Sequence, residues 1–222
     1  MPVSPAPDHY SGIKLNERLV SQEQIDTLMS GKKVVQLRDL KFEVKTKVVE
    51  QDRVFVGMIF KVGATRSGTL GRGKLARTAQ YCDAWLTDFH PYSPTYVRVR
   101  LTDSAAGMKL MRGDVWYFLN PELTPEDDKA ASGMAVTAPV ALTVDTRDKM
   151  LKVGIASAVG DCTAVMGSKG NHGCMYPVNT ELDRSGLCHV HLEELRSKSS
   201  NSRTMTGAIV VYTGSIRIGP RC

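Results

Sequence analysis

"TYVRVRLTDSAAGMKLMRGDVWYFLNP", residues 95–121, carries the pattern that decides the fold. Its first part alternates. Val97, Val99 and Leu101 fall on one side of an extended strand and Arg98 and Arg100 on the other, because successive strand side chains point to opposite faces. One face is expected to be buried and the other positive. "SAAGMKLMRG" (104–113) then has helical spacing with Gly113 at its end, and "DVWYFLNP" (114–121) returns to an extended run closed by turn residues.

Two more runs lie upstream and one downstream. "RVFVGMIFKV" (53–62) is rich in Val, Ile and Phe, with Gly57 read as a bulge or bend, and "ARTAQYCDAWLTDF" (76–89) follows it. "VTAPVALTVD" (136–145) is the last. Five strands with a helix between the third and fourth is the order of an OB-fold, a small Greek-key barrel used largely for single-stranded nucleic acid. The expected class is mainly β. The acidic, breaker-rich "ELTPEDDKAASGM" (122–134) reads as an exposed loop between strands four and five. Before the barrel, Ser21 and Gln24 have capping-box spacing, Ile25, Leu28 and Met29 recur at helical intervals, and Gly31 supplies a stop. The expected organisation is an N-terminal helical arm (1–40), an OB-fold (41–147), a cysteine-histidine module (148–198) and a C-terminal tail (199–222), with "RSKSSNSRTMTG" (196–207) as a flexible linker.

Charge is unevenly placed. Between Lys41 and Arg77 nine Lys/Arg face three Asp/Glu, which equals the chain's entire formal excess of +6. A concentrated basic segment fits a phosphate-rich partner. Within it, "GTLGRGKL" (68–75) approaches a phosphate-cradling loop at Gly68, Gly73 and Lys74, but Leu75 stands where the motif needs Ser or Thr for magnesium. Nucleotide hydrolysis is therefore set aside. As a loop between strands one and two, the segment instead offers Arg66, Arg72, Lys74 and Arg77 to phosphates beside the groove, and Arg98 and Arg100 extend that surface. Among the strand aromatics Phe55, Phe60, Trp85, Phe89, Tyr96, Trp116 and Tyr117, packing is the expected role of most; Tyr81 and Tyr96 are the candidates for base stacking. No Ser-His-Asp, Cys-His or paired-carboxylate arrangement emerges, so the chain is read as non-enzymatic.

The cysteines point to a second feature. No run of eighteen apolar residues occurs, and "MPVSPAPDHY" lacks the basic start and apolar core of a signal segment, so neither membrane insertion nor secretion is expected. Five cysteines, an odd number, then fit thiols kept reduced better than a disulfide framework. In "CTAVMGSKGNHGCMYPVNTELDRSGLCHVH" (162–191) the ordered set Cys162, Cys174, Cys188 and His191 has the form C-x11-C-x13-C-x2-H. Three thiolates and an imidazole fill a closed tetrahedral site suited to structural Zn2+; buried unligated thiols are the alternative. His172 and His189 compete as ligands less well by spacing. With all four positions taken by protein, no place remains for a catalytic water. Cys82 reads as a small core residue and Cys222 as a bystander.

"YSGIKLNERLVSQEQIDTLMSGKKVVQLRDL" (10–40), "RVFVGMIFKV", "DVWYFLNP" and "VALTVDTRDKMLKVGIASAVGDC" (140–162), followed by the ordered C-C-C-H, resemble the conserved core of the minichromosome maintenance ten replication factor family over about residues 10–196. The resemblance implies a nuclear eukaryotic protein that binds single- and double-stranded DNA at origins and forks. It further implies a part in replication initiation and elongation as a scaffold between the replicative helicase and polymerase alpha-primase, without catalysis. It carries zinc ligation to Cys162, Cys174, Cys188 and His191, and DNA contact to Lys61. Of the lysine run that members carry after the first cysteine, Lys169 remains in "TAVMGSKG". "TYVRVRLTD" departs from the segment proposed in the family for sliding-clamp contact, so the clamp stays open as a partner. An RNA-binding OB module with a structural zinc is the alternative function.

Overall fold

Why the five apolar runs become one curved sheet is visible in their pairing. The computed structural model describes residues 7–40, 52–70, 77–90, 93–125, 140–166, 172–181 and 184–202. They form two units dividing between Val159 and Gly160. Along the first run β1 (Leu15–Arg18), α1 (Gln22–Met29), β2 (Lys33–Val35), β3 (Arg53–Val62), β4 (Arg66–Leu70), β5 (Arg77–Thr87), β6 (Tyr96–Thr102), α2 (Asp103–Ala106), β7 (Asp114–Leu119), β8 (Glu122–Pro125), β9 (Val140–Val144) and β10 (Met150–Ala156). The five runs are β3, β5, β6, β7 and β9.

β3 pairs antiparallel with β5 and β7; β5 pairs with β6, β6 runs parallel to β9, and β9 pairs with β8. β7 and β8 are consecutive, so the chain itself joins the ends of the curve β7-β3-β5-β6-β9-β8. The corner is Asn120 and Pro121. Asn120 takes a φ of +45°, a conformation Asn tolerates better than most residues. Its side chain accepts from the Arg53 amide at 2.8 Å and donates to Asp52 at 2.7 Å, pinning the corner to the start of β3. The first four residues of the acidic segment are thus not loop but strand, because Leu123 packs on the core and ladder bonds to β9 satisfy their backbone. Residues 126–139 lie outside the described ones.

Two further expectations are corrected. The helix after β6 is a single turn, ending at Gly107 where helix continuation is costly. The bulge of β3 is not at Gly57, which pairs regularly with Trp116, but between Ile59 and Lys61. Gly57 is instead a site of close approach: a Cβ there would stand 3.0 Å from Leu37 Cδ1 and 3.3 Å from Thr87 O.

Phe55, Ile59, Leu86, Val97, Val99, Leu101, Trp116, Phe118 and Leu142 are among the side chains filling the interior. β3 is buried on both faces, which explains its unbroken apolar run. The arm adds Leu37 to the interior cluster beside Gly57 and sets Asp8 and Tyr10 against Tyr117 on the outer face of β7. The helix reads as its sequence says: Ser21 Oγ accepts from the Gln24 amide at 3.2 Å, Gln24 Oε1 accepts from the Ser21 amide at 3.1 Å, and Ile25 and Met29 turn inward. Strand formation by the arm was not legible: β2 runs parallel to the start of β3, and β1 pairs with β10 at an approach so close that a Cβ on Gly154 would lie 2.3 Å from Glu17 O. β10, which the sequence reading grouped with the cysteine-histidine module, therefore belongs to the large sheet.

A polar latch fixes the arm. Asp8, fully buried, accepts from Tyr117 Oη at 2.7 Å and from the amide and hydroxyl of Ser11 at 2.9 and 2.7 Å, with Arg18 3.6 Å away. Burial, then the Asp8 carboxylate, push the Tyr117 hydroxyl well above its ordinary range, so it remains a donor. Replacing it by Phe leaves a buried carboxylate short of one donor. Tyr117→Phe should lower the stability of this unit by about 1–3 kcal/mol, read as a fall in urea midpoint with unchanged m-value.

The second unit is small. β11 (Val159–Asp161) pairs with β14 (Pro177–Asn179), β12 (Val165–Met166) with β13 (His172–Gly173), and α3 (His189–Ser202) ends it. Its described buried apolar side chains are Tyr176, Pro177, Val178 and the three cysteines. That is too little for a conventional core.

Candidate metal centre and nucleic-acid interface

Short-range hydrogen bonds assemble the second unit around its thiols. Cys162 follows β11, and the next residue, Thr163, bonds Gly186 O through its amide at 2.9 Å and its hydroxyl at 3.1 Å. The Cys174 amide bonds Ala164 O at 3.2 Å. Cys188 precedes α3, its carbonyl accepts from the Leu192 amide at 3.0 Å, and His191 stands one turn on, so both side chains point the same way. The donor atoms of Cys162, Cys174, Cys188 and His191 all lie within 4.8 Å of one another.

The finer distances test the fit. Cys174 and Cys188 Sγ are 3.7 Å apart, and His191 Nδ1 is 3.4 Å from Cys162 Sγ and 3.3 Å from Cys188 Sγ. Thiolates at about 2.3 Å and an imidazole at about 2.0–2.1 Å from one tetrahedral centre stand about 3.5–3.8 Å apart, so the set could hold a metal ion. The Cys188 amide donates to Cys162 Sγ at 3.2 Å. Burial pushes the Cys188 thiol up to about 12 and the Cys174 thiol above its usual range, aided by the neighbouring sulfurs. Packed without a cation, these thiols resist ionisation; a bound ion reverses that balance. His189 stays outside the cluster, edge-on to Tyr176 at 6.4 Å, with burial holding its protonation below the usual range.

Four of the cations chosen from sequence share one face of the first unit. The bulge matters here. Lys61 is two positions after interior Ile59 and would share its face, but the inserted residue sets it opposite Trp85, on the outer side. Lys61 Nζ sits 4.6 Å from the Trp85 ring centroid, and burial lowers its pKa. Across the next ladder Trp85 opposes Arg98, Asp83 opposes Arg100, and Tyr81 opposes Thr102 on one side and Arg66 on the other. Lys61, Arg66, Arg98 and Arg100 therefore share the outer face of β3 to β6 with Tyr81 and Trp85.

They are unequally accessible. Arg66 is exposed; Arg98 is buried, 4.0 Å from Asp83. Arg100 forms a two-point pair with Asp83, Nε to Oδ1 at 2.8 Å and Nη2 to Oδ2 at 3.0 Å, and its guanidinium lies 4.8 Å from the Tyr81 ring centroid. Tyr81 also packs on Gly68, where a Cβ would be 3.0 Å from its Cε1. Arg77 is held by Asp103 through two contacts of 2.5 Å, which raise its pKa and lower that of Asp103. Arg72, Lys74 and Lys169 lie outside the described residues, as does Cys222. Tyr96 is no platform: it is buried, edge-on to Phe60 at 5.1 Å. Cys82 is a core residue as expected, its thiol 3.3 Å from Gly63 O. Trp85 and Asp83 went unchosen in the sequence, although their places opposite Arg98 and Arg100 follow from strand alternation once the register is known.

The molecule is thus a mainly β protein of the OB-fold class followed by a unit with a Cys3His cluster. A family model described as the MCM10 OB-fold matches residues 9–151, and the chain belongs to that family. Protein MCM10 homolog of Mus musculus is 27% identical over 199 residues, covering 88% of this chain and 20% of that protein. The chain spans about a fifth of that relative's length. Among solved structures, the OB domain of Ta0387 from Thermoplasma acidophilum is matched over its whole length and 64% of this chain, at 12% identity and a TM-score of 0.34.

Because the Cys174 and Cys188 thiols sit above their usual range, ion uptake must displace their protons, and affinity should rise with pH. A competition titration with a chromophoric chelator should show about tenfold tighter binding per pH unit for each thiol proton released. Cys188→Ser should abolish stoichiometric uptake.

Proposed function

We propose that the protein is a non-enzymatic DNA replication factor of the nucleus that holds single- and double-stranded DNA on the outer face of its barrel. The carrying observation is the placement of Lys61 by the β3 bulge beside Trp85, on the face that also bears Arg66, Arg98, Arg100 and Tyr81. Phosphates and bases need that pairing of point charges with flat side chains. The arm meets the outer side of β7 at Tyr117, and the outer side of β5 and β6 is the surface proposed for a strand. Arg72 and Lys74, which follow β4 in the sequence, are proposed to extend this contact, Lys169 is proposed as a separate DNA contact of the second unit, and Arg77 is left to its pairing with Asp103.

The ion of that unit is Zn2+, held by Cys162, Cys174, Cys188 and His191 in a closed set that supplies folding energy and no open coordination position. Family membership supports the wider role, a scaffold at origins and forks between the replicative helicase and polymerase alpha-primase. No helix among the described residues is long and apolar enough to cross a membrane.

A labelled oligonucleotide titrated over a salt series tests the reading. Binding should weaken steeply with salt, and Lys61→Ala with Arg66→Ala should flatten the slope by about 0.7 per lost contact on a single strand. An unchanged slope removes this face as the interface, and preference for RNA of matched sequence moves the function to RNA. Chelation should unfold residues 160–202 and leave the barrel's circular dichroism largely intact; loss of both together would contradict the independence of the units.

A further inference from the structure

We propose that Trp85 is the positioning residue for Lys61: its indole is the seat on which the ammonium is held for a phosphate, rather than a platform for a base. The proposal deepens the nucleic-acid reading of the preceding subsection and rests on it. The bulge of β3 makes Lys61 the register partner of Trp85, and Lys61 Nζ stands over the indole at 4.6 Å from its centroid. At that distance the electron-rich face of a ring attracts an ammonium. With Lys61 above it and only 6% of its surface exposed, Trp85 offers a base little to stack on. The ring is itself confined. The Gly63 amide donates to Asp83 O at 2.7 Å and draws the chain just past β3 against β5, where a Cβ on Gly63 would lie 2.9 Å from that oxygen and 3.6 Å from Trp85 Cζ3.

This face holds its cations in two ways. Arg98 and Arg100 lie 4.0 and 2.8 Å from the Asp83 carboxylate, whose negative charge offsets theirs in part. Lys61 has neither a carboxylate nor a hydrogen-bond acceptor as partner among the described residues. The indole therefore orders the ammonium without cancelling its charge, and no acceptor among those residues engages its three N–H donors. Burial lowers the Lys61 pKa, which marks water already removed from around the ammonium. A lysine on an open surface gives up rotamer freedom and hydration when it meets a phosphate, whereas a seated one has given up part of both beforehand. Seating thus raises affinity without adding a charge, and that separates the task of Trp85 from the task of Lys61.

The experiment is an equilibrium titration of a fluorescein-labelled single-stranded oligonucleotide across a salt series, on the full chain with its metal bound. The variants are Lys61→Ala, Trp85→Leu, Trp85→Phe and the double variant of Lys61→Ala with Trp85→Leu, each required to keep a cooperative thermal transition above the assay temperature. Trp85→Phe removes no hydrogen bond, since the indole Nε1 has no partner among the described residues. Trp85→Leu should weaken binding about fivefold and leave the slope of log K against log salt at its wild-type value, because the ammonium is still present. Trp85→Phe, which keeps a flat ring, should stay within about twofold of the wild type. Lys61→Ala should flatten the slope by about 0.7, and adding Trp85→Leu to it should lower affinity no further. Full affinity in Trp85→Leu, or an equal loss from it in the Lys61→Ala background, would overturn the positioning role and leave the interface standing. A second measurement needs no leucine variant. With the lysines carbon-13-dimethylated, the Lys61 methyl signal, assigned through Lys61→Arg, should be displaced upfield by the indole ring current in the free chain and in the DNA complex alike. A signal at the ordinary lysine position in either state would overturn the seat. Should the wild-type chain fail to bind in dilute buffer, or Lys61→Ala leave the slope unchanged, the interface at Lys61 falls and the proposal with it.

Discussion

The larger unit is organised around one strand. β3 shares hydrogen bonds with β2, β5 and β7 and buries both faces along nearly its whole length. A strand in that position cannot lie at a surface, so something must cover the side turned away from the barrel interior. The arm contributes beside it on β7, where its latch at Asp8 holds Tyr117, the register partner of Val56. Only where the bulge breaks the alternation does β3 return a charged side chain to the outside, and the residue returned is Lys61. Fold and proposed interface thus meet at a single inserted residue.

That geometry explains which parts were legible. The alternation of Val97, Val99 and Leu101 with Arg98 and Arg100 gave away β6 and both its faces, and the apolar runs located the remaining barrel strands, because strand side chains obey a period of two. The capping residues of α1 were equally plain. What escaped was set by pairing across distance. The bulge depends on how β3 meets β5, so its position could not be read from Gly57. Tyr96 alternates as an outward residue would, yet packing against Phe60 buries it. Asp83 carries no local signal, since its meaning comes from Arg100 seventeen residues later on another strand. The strands of the arm are short and acquire order only from β3 and β10.

The metal centre was legible for the opposite reason. Its signal is chemical rather than periodic: three cysteines and a histidine in order within thirty residues are the donor set of a closed tetrahedral site. What the order did not reveal is how the thiols are brought together, through Thr163 on Gly186 and Cys174 on Ala164, or that His191 faces them with Nδ1. The two units therefore differ in kind. Area removed from water sustains the first, whereas the second buries little apolar surface and gathers its thiols into a set that could hold a metal ion.

The pairing of β1 with β10 has an effect beyond fixing the arm. A seven-residue strand left bare at the rim of a sheet is a template for neighbouring molecules, and β10 would be such a template. β1 masks it with four residues that end in Glu17 and Arg18, a short and charged margin on which a second sheet finds little to continue. The segment ahead of the barrel thereby closes that rim against extension of the sheet by another chain.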